Sequence, residues 1–182
     1  MWSPIEQTAL AEAEVEYHDK ESFTVWVKFK VVGESDLADA FVVIWTTTPW
    51  TMPSNKAVVY GENISYGLFE VISTPAESWV NVGDKLILAD NLAADVMTKA
   101  RLEVGQYQRV RDVPASDLEG LGLLHPLARA EGGNGEWDDV RDFRAAEFVT
   151  DTEGTGFVHC APSHGMDEYE LYRDLNMLEQ VI

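Results

Sequence analysis

Hydroxyl-bearing side chains are concentrated in residues 45–55, which read WTTTPWTMPSN and are called the threonine loop below. They follow the apolar run FVVI at residues 41–44, which predicts a buried strand. Pro49 and Pro53 each lack an amide hydrogen and restrict φ, so they take the chain out of regular strand pairing where the hydroxyls cluster. The loop therefore predicts stiffly held hydroxyls that could contact a ligand, although threonines that merely extend the strand stay an alternative.

The other segment with chemically active side chains, residues 154–169, reads GTGFVHCAPSHGMDEY. A strand is predicted to end near Cys160, because Pro162 cannot continue it, and a helix is predicted to begin near Met166. Loops between such elements carry binding and catalytic residues more often than other segments do. The acids and histidines of this segment are therefore candidates for chemistry.

Two acids, Asp167 and Glu168, lie in the first turn of the predicted helix, close in sequence to His159 and His164. Acids at this position also offset the helix dipole, which is worth about 0.3–1 kcal/mol, so a structural role stays an alternative. The two histidines are five residues apart and no H-E-x-x-H pattern occurs, which disfavours zinc. We therefore expect no metal site.

No protein nucleophile is indicated. Ser163 and His164 are adjacent, neighbouring residues rarely face each other as nucleophile and base, and no G-x-S-x-G turn is present. Cys160, the single cysteine, lies in an apolar strand without an obvious thiolate stabiliser and excludes an internal disulfide framework. The other histidines, His18 and His125, lie in segments that the sequence does not connect with these residues.

Composition describes an ordinary globular chain with an unusual charge. Its 182 residues are 46% hydrophobic and 25% charged, enough for one domain with a real core. The net charge of −19 repels phosphate backbones, so we expect weak binding of free nucleic acid unless other domains supply basic residues. No apolar segment approaches the roughly 18 residues that span a bilayer, and the start lacks signal-peptide features. We expect a soluble cytoplasmic protein without membrane contact.

Short strands separated by turns are predicted along most of the chain. They cover residues 24–32, 41–44, 57–60, 66–72, 78–81, 84–89, 107–113, 144–149 and 156–160, and the last two are expected to pair with each other. A helix near residues 91–104, capped by Asp90, is expected to pack on the sheet, and the glycine-rich residues 131–136 to form an exposed hairpin tip. The pattern predicts a mostly β fold with peripheral helices, of the α+β class, with a closed or folded antiparallel sheet.

The threonine loop and the sequence GTGFVHCAPSHG at residues 154–165 together resemble the editing domain that is inserted in class I aminoacyl-tRNA synthetases. The stretch WSPIEQTALAE at residues 2–12 is similar to the strip that links the catalytic domain to this insertion. The resemblance spans nearly the whole chain and implies a linker over residues 1–23 and a single β-barrel-like editing domain over residues 24–182. No H-I-G-H or K-M-S-K-S signature of adenylate formation occurs.

Individual positions favour the isoleucyl type within this family. The similar valyl and leucyl domains carry an arginine after the first two threonines, where this chain has Thr48, and a lysine or methionine in place of His159. Thr48, Asn55 and His159 together resemble the isoleucyl pattern. The family's acid that holds the substrate's amino group directly precedes an aromatic or apolar helix residue, a position that is Glu168 here with Asp167 before it. Both acids therefore stay candidates.

The resemblance implies hydrolysis, by a positioned water and without a cofactor, of valine esterified to isoleucine tRNA, with valyl-adenylate as a further substrate. Such editing is needed because one methylene is worth only about 1–3 kcal/mol in a binding pocket, and isoleucine against valine is the standard example. The implied catalytic residues are Thr46, Thr47, Thr48, Asp167 and Glu168. The implied substrate contacts are Trp45, Asn55, His159, Pro162 and His164.

The implied partners are the terminal adenosine of the aminoacylated tRNA and the catalytic and tRNA-binding domains of the full-length enzyme. Two other classes stay open at the level of the sequence. One is a β module that binds an amino acid or nucleotide without turning it over, and the other is a structural β domain that binds neither.

Overall fold

Nine strands form one mixed β-sheet in the computed structural model, which describes residues 1–19 and 21–181. Two further strands, β1 (Trp2–Ser3) and β2 (Thr8–Ala9), pair antiparallel in a separate ribbon. The strands of the sheet are β3 (Val25–Val32), β4 (Phe41–Thr46), β5 (Ala57–Tyr60), β6 (Tyr66–Val71), β7 (Lys85–Ala89), β8 (Tyr107–Val113), β9 (Gly122–Leu124), β10 (Val140–Ala145) and β11 (Phe157–Cys160). Their order across the sheet is β11-β5-β10-β9-β3-β4-β7-β6-β8.

Neighbouring strands of the sheet are antiparallel in all but two cases. β4 runs parallel to β7, and β5 runs parallel to β10. Among the described residues the strands do not close into a hydrogen-bonded barrel, because β11 and β8 lie at opposite ends of the order. The sheet is folded, however, since β11 packs against β4 although the two are not hydrogen-bonded neighbours. The predicted α+β class is confirmed, and of the two expected arrangements the folded one forms, with parallel pairs that the prediction did not include.

β5 lies between the two strands that the sequence predicts to pair with each other. β10 runs parallel to β5 on one side and β11 antiparallel on the other, so Val58 lies opposite both Phe143 and His159. All four side chains of β5 are buried, in keeping with an interior strand that is paired at both edges. The prediction that residues 144–149 and 156–160 pair directly is therefore wrong.

Residues 78–81 are predicted as a strand but are not in one, and residues 79 and 80 form a bend instead. The Ser78 hydroxyl accepts a hydrogen bond from the Val80 amide over 3.3 Å and donates to the Ala100 carbonyl over 2.5 Å. Side chain-to-backbone bonds of this kind satisfy groups that a strand ladder would otherwise use, which explains the wrong prediction. Residues 131–136 are exposed and connect β9 with β10, which pair antiparallel, so the expected hairpin tip is confirmed.

Helices lie at the edges of the sheet. They are α1 (Asp90–Lys99), α2 (Ala115–Leu118), α3 (Met166–Asp174) and the short 3₁₀ helices Glu12–Glu14, Pro49–Ser54 and Leu178–Gln180. α1 packs on the sheet through Ala93, Val96 and Met97, as predicted, but ends before residue 104. Asp90 is not its N-cap; it lies in the first turn and accepts two 2.8 Å hydrogen bonds from Arg109.

One apolar core contains residues from all nine strands of the sheet, which shows that the sheet wraps around it. Its members include Phe29, Val42, Val58, Leu68, Ile87, Val113, Leu123, Phe143 and Phe157. A second cluster lies under α1, and a third places Tyr172 of α3 against Ala57, Val59 and Cys160. The third cluster matters for function because it fixes α3 relative to β5 and β11.

The predicted linker, residues 1–23, contains the β1–β2 ribbon and the first 3₁₀ helix, and its residue 20 lies outside the described residues. Ile5, Tyr17 and Phe23 are exposed, so the described part of this segment lies on the surface. The boundary between residues 23 and 24 stays a prediction. Within the described residues, no helix combines the length and apolarity that crossing a membrane requires.

Candidate functional site

A cavity of about 320 Å³ lies between the threonine loop and the beginning of α3. It is lined by Trp45, Thr46, Thr48, Trp50, Thr51, Val158, His159, Ala161, His164, Gly165 and Glu168. The two segments that the sequence singled out are therefore brought together, across more than a hundred residues of chain. The fold achieves this by packing β11 against β4, whose ends carry the two segments.

The threonine loop is held by its own hydrogen bonds. The Thr48 amide donates to Thr46 Oγ1 over 3.1 Å, and the Thr51 amide donates to the Thr48 carbonyl over 3.0 Å. Pro49 occupies the first position of the 3₁₀ helix Pro49–Ser54, where no partner for an amide hydrogen is needed. The predicted loop at the end of a strand is therefore present, with hydrogen bonds inside it that define its turn.

His159 lies at the centre of a buried hydrogen-bond chain. The Asn55 side-chain amide lies 2.8 Å from His159 Nδ1, and Thr51 Oγ1 lies 3.0 Å from His159 Nε2. The same Asn55 nitrogen donates to the Ala57 carbonyl over 2.7 Å, which fixes the orientation of the amide. His159 Nδ1 is therefore assigned as an acceptor and Nε2 carries the hydrogen. The Thr51 hydroxyl then donates onward to the Thr48 carbonyl over 2.9 Å.

Burial keeps the His159 ring uncharged. Removal from water, with smaller contributions from the nearby His125 and His164, lowers the pKa of His159 to about 4. A neutral ring at pH 7 forms a firm wall of the cavity. It also keeps the tautomer that the hydrogen-bond chain requires.

Among the described residues that line the cavity, Glu168 is the only carboxylate, and none is a lysine or arginine. Burial, together with the neighbouring charge of Asp167, raises the pKa of the half-buried Glu168 carboxyl above its usual range. A Cβ built at Gly165 would overlap the Glu168 carboxylate, so glycine leaves the space in which this carboxylate lies. A single acid facing uncharged hydroxyls and rings is suited to a small cation such as an ammonium group.

The predicted site residues divide by position. Trp45, Thr46, Thr48, His159, His164 and Glu168 line the cavity. Asn55 is buried behind His159, and buried Pro162 lines a neighbouring cavity together with His164. Thr47 and Asp167 are exposed and do not line the cavity.

Sequence reasoning missed Trp50, Thr51 and His125. Trp50 and Thr51 lie inside the threonine loop, but the direction of a side chain on a short 3₁₀ helix cannot be read from residue types alone. His125 Nε2 lies 2.9 Å from the Met52 carbonyl of the loop. The prediction that its segment is unconnected with the site is therefore wrong, and no signal in the sequence indicated the contact.

The side chains that were weighed as nucleophiles or ligands do not form a catalytic pair. Burial raises the pKa of the Cys160 thiol to about 12, which leaves it protonated. His164 Nε2 contacts Ser54 Oγ at 3.2 Å, and Ser163 is exposed. In the described part of the chain, no three His, Cys, Asp or Glu side chains converge as metal ligands would.

Comparison of sequences relates the chain to isoleucine-tRNA ligases. It is 75% identical over 182 residues to the isoleucine-tRNA ligase of Ruegeria pomeroyi, which covers 100% of this chain and 19% of that protein. It is 48% identical over 174 residues to the enzyme of Bradyrhizobium diazoefficiens, covering 94% of this chain and 17% of that protein. The chain thus spans about a fifth of the length of these curated relatives. No protein-family model matches it.

Solved structures of leucyl-tRNA synthetase editing domains share the fold. The structure of GlLeuRS-CP1 matches with a TM-score of 0.62 at 18% identity, covering 84% of this chain and 60% of that one. The editing domain of the P. knowlesi cytosolic leucyl-tRNA synthetase matches with a TM-score of 0.58 at 11% identity, covering 86% of this chain and 65% of that one. The chain therefore belongs to the isoleucine-tRNA ligase family, as a segment of such an enzyme that has the fold of a synthetase editing domain.

Proposed function

We propose that this chain forms the editing site of an isoleucine-tRNA ligase and hydrolyses the ester of valine mischarged on isoleucine tRNA, with valyl-adenylate as a further substrate. The observation that carries the proposal is the cavity of about 320 Å³ in which one carboxylate, Glu168, shares the lining with the threonine hydroxyls and a neutral histidine. An α-amino ester has a cationic ammonium group, a carbonyl that develops negative charge and an apolar side chain. The lining offers a partner for each of the three.

Glu168 is proposed to hold the ammonium group. It lines the cavity, whereas Asp167, one residue earlier, is exposed and does not. The raised pKa of Glu168 reflects a carboxylate that has lost part of its hydration, and a bound ammonium ion would restore a partner. Asp167 stays in the proposed catalytic set as a charge that acts on Glu168 at close range.

The hydroxyls of Thr46 and Thr48, which line the cavity, are proposed to hold the ester and the attacking water. Thr47, which is exposed between them and does not line the cavity, stays in the proposed catalytic set as a prediction from the sequence. Water adds to the ester carbonyl carbon, the bond from that carbon to the ribose oxygen breaks, and the ribose oxygen leaves as a hydroxyl with a proton from the water. The products are valine and uncharged tRNA. The ester is already activated, so the protein contributes by positioning the water and by donating hydrogen bonds to the developing oxyanion.

Four further residues are proposed to shape the substrate contact. His159 forms a rigid neutral wall that limits the length of the amino acid side chain. Trp45 lines the cavity, and its buried indole Nε1–H has no partner among the described residues. Pro162 and His164 are placed at a neighbouring cavity that could receive the adenosine.

The proposed partners are the terminal adenosine of the tRNA and the catalytic and tRNA-binding domains of the same full-length cytoplasmic enzyme. The net charge of −19 supports this division, because the phosphate contacts of a tRNA need basic residues that another part of the enzyme would supply. The segment then needs to recognise only the 3′ end.

The test is deacylation of valyl-tRNA by the full-length enzyme carrying Glu168→Ala, Asp167→Ala or Thr47→Ala. We expect the greatest loss of hydrolysis in Glu168→Ala, and binding of a non-hydrolysable valyl-adenosine analogue to be lost in Glu168→Ala but kept in Asp167→Ala. Unchanged valyl ester hydrolysis in all three variants would exclude the proposed function. Binding of the analogue with no turnover of valyl-tRNA would instead indicate a module that binds without catalysis.

A further inference from the structure

The long connection between β9 and β10 contacts the threonine loop through two side-chain donors. His125 Nε2 lies 2.9 Å from the Met52 carbonyl, and Trp137 Nε1 donates to the Pro53 carbonyl over 3.1 Å. The two rings stack on each other, with centroids 6.1 Å apart and planes inclined by 16°. Two successive carbonyls of the loop are thus held from outside it by one stacked pair.

The tautomer of His125 is set by the chain itself. The Leu127 amide donates to His125 Nδ1 over 3.0 Å, so Nδ1 is the acceptor and Nε2 carries the hydrogen that points at Met52. The residue is 1% exposed, and its ring meets Phe29 edge-on with centroids 6.0 Å apart. Water therefore cannot replace the hydrogen bond to Met52 without disturbing the core.

A short route leads from this contact to the cavity. The Met52 carbonyl also accepts a 3.0 Å hydrogen bond from the backbone amide of Asn55. The side-chain nitrogen of the same Asn55 lies 2.8 Å from His159 Nδ1. His125 and Asn55 thus share one acceptor. Displacing that carbonyl would move Asn55 and release the ring of His159.

Such outside support adds to the few hydrogen bonds that the loop makes within itself. Its 3₁₀ helix has six residues, and Pro49 and Pro53 can donate no amide hydrogen bond. Short 3₁₀ helices have poorer hydrogen-bond geometry than α-helices, so external donors decide where this one lies.

We propose that His125 and Trp137 are positioning residues for ester hydrolysis, which clamp the Met52 and Pro53 carbonyls and thereby hold Asn55 and His159 in place. The catalytic part of this inference rests on the function proposed above, whereas the clamp itself does not.

The experiment uses the full-length enzyme carrying His125→Phe, His125→Gln or Trp137→Phe. Phenylalanine keeps the ring stack and removes the donor, whereas glutamine at position 125 can still donate to Met52. Trp79→Phe is the matched control, because Trp79 Nε1 also donates to a backbone carbonyl, that of Lys99, away from the cavity. Hydrogen-deuterium exchange at the wild-type rate in peptides covering residues 85–99, which lie outside the loop, reports that this segment is folded in every variant.

Two readouts are combined. Hydrogen-deuterium exchange of peptides covering residues 48–56 is expected to quicken in Trp137→Phe and His125→Phe, about three- to tenfold for one lost hydrogen bond, and to stay at the wild-type rate in Trp79→Phe. The kcat for valyl-tRNA deacylation is expected to fall about as much with little change in KM, because positioning acts on the reacting geometry. His125→Gln is expected to recover most of both losses.

Each other outcome decides the question. If wild-type enzyme does not hydrolyse valyl-tRNA, the proposed function fails and the exchange data alone test the clamp. If wild-type enzyme hydrolyses it but Trp137→Phe and His125→Phe match Trp79→Phe in exchange or in kcat, the positioning role is overturned. Should His125→Phe also quicken exchange in residues 85–99, the segment is unfolded in that variant, and the milder Trp137→Phe variant supports or overturns the positioning role by the same two readouts.

Discussion

The side-chain amide of Asn55 contacts Nδ1 of His159 over 2.8 Å while it donates to the Ala57 carbonyl over 2.7 Å. Asn55 is 2% exposed and His159 is 8% exposed, so bulk water does not compete for these bonds. The pair links the end of the threonine loop to the end of β11. It thereby fixes the histidine that forms the wall of the cavity.

Thr51→Val is expected to lower the free energy of unfolding by about 1–3 kcal/mol, because the buried His159 Nε2–H loses its acceptor while the volume is conserved. Thr51→Ser keeps a hydroxyl and is expected to recover much of the loss. Urea unfolding of the 182-residue chain measures the difference. Thr98→Val is the control, since exposed Thr98 donates only to the Ala94 carbonyl of its own helix; equal losses in both valine variants would contradict the prediction.

Stability is expected to fall with acid because His159 is buried uncharged. Its pKa is lowered to about 4 in the folded state, so between the unfolded value near 6.5 and pH 4 the unfolded chain binds more protons. The part of the free energy of unfolding that comes from the uncharged His159 is fully present above about pH 6.5 and is lost as the pH falls towards 4. It amounts to at most about 3 kcal/mol. Urea unfolding of wild type and His159→Gln from pH 4 to 8 isolates it. Parallel curves for the two proteins would show that His159 does not titrate as described.

Gly165→Ala is expected to weaken valyl ester hydrolysis without unfolding the protein. The backbone of Gly165 is extended, with φ −130° and ψ 145°, which alanine adopts freely, but the new Cβ would meet the Glu168 carboxylate. The carboxylate must then leave its place in the cavity. Affinity for a valyl-adenosine analogue and deacylation by the full-length enzyme measure the effect, with Ser73→Ala as a control at an exposed residue that lines neither cavity. An unchanged affinity in Gly165→Ala would argue against Glu168 as the ammonium ligand.

His159→Ala is expected to admit the isoleucyl ester, because removal of the ring lengthens the cavity. One methylene is worth about 1–3 kcal/mol, so the preference for valyl over isoleucyl ester should shrink by about 10- to 200-fold at most. Deacylation of the two charged tRNAs by the full-length enzyme gives the ratio, and exposed His18→Ala is the control. A variant that stays as selective as wild type would remove His159 from the steric wall.

Secondary structure followed from local sequence wherever side-chain pattern and turn residues agreed. The alternating apolar residues of β3 place Phe29 and Val31 in the core, as the two-residue period requires. Pro49 and Pro53 indicated that regular strand pairing stops in the threonine loop, and Pro162 indicated that it stops after β11, because proline has no amide hydrogen to donate. These elements depend on neighbours in the chain and are therefore visible in the sequence.

Strand pairing could not be read in the same way. β10 and β11 look like a sequential pair, yet each pairs with β5, because the apolar pattern of a strand records that it is buried and not which strand lies beside it. The bend at residues 79–80 directly follows Ser78, whose hydroxyl donates a hydrogen bond to the carbonyl of Ala100, 22 residues away. Contacts of this length are decided by the packing of the whole domain.

The sequence by itself determined the chemical groups of the site: the threonine hydroxyls, a neighbouring pair of acids and two histidines within one segment. Only the tertiary structure decided which acid faces the cavity. Adjacent residues on a helix point about 100° apart, so the packing of Tyr172 against β5 and β11 selects Glu168 and leaves Asp167 in solvent. The same holds for His125, which lies 73 residues from Met52 in the chain and meets it only because the folded sheet brings both to one end.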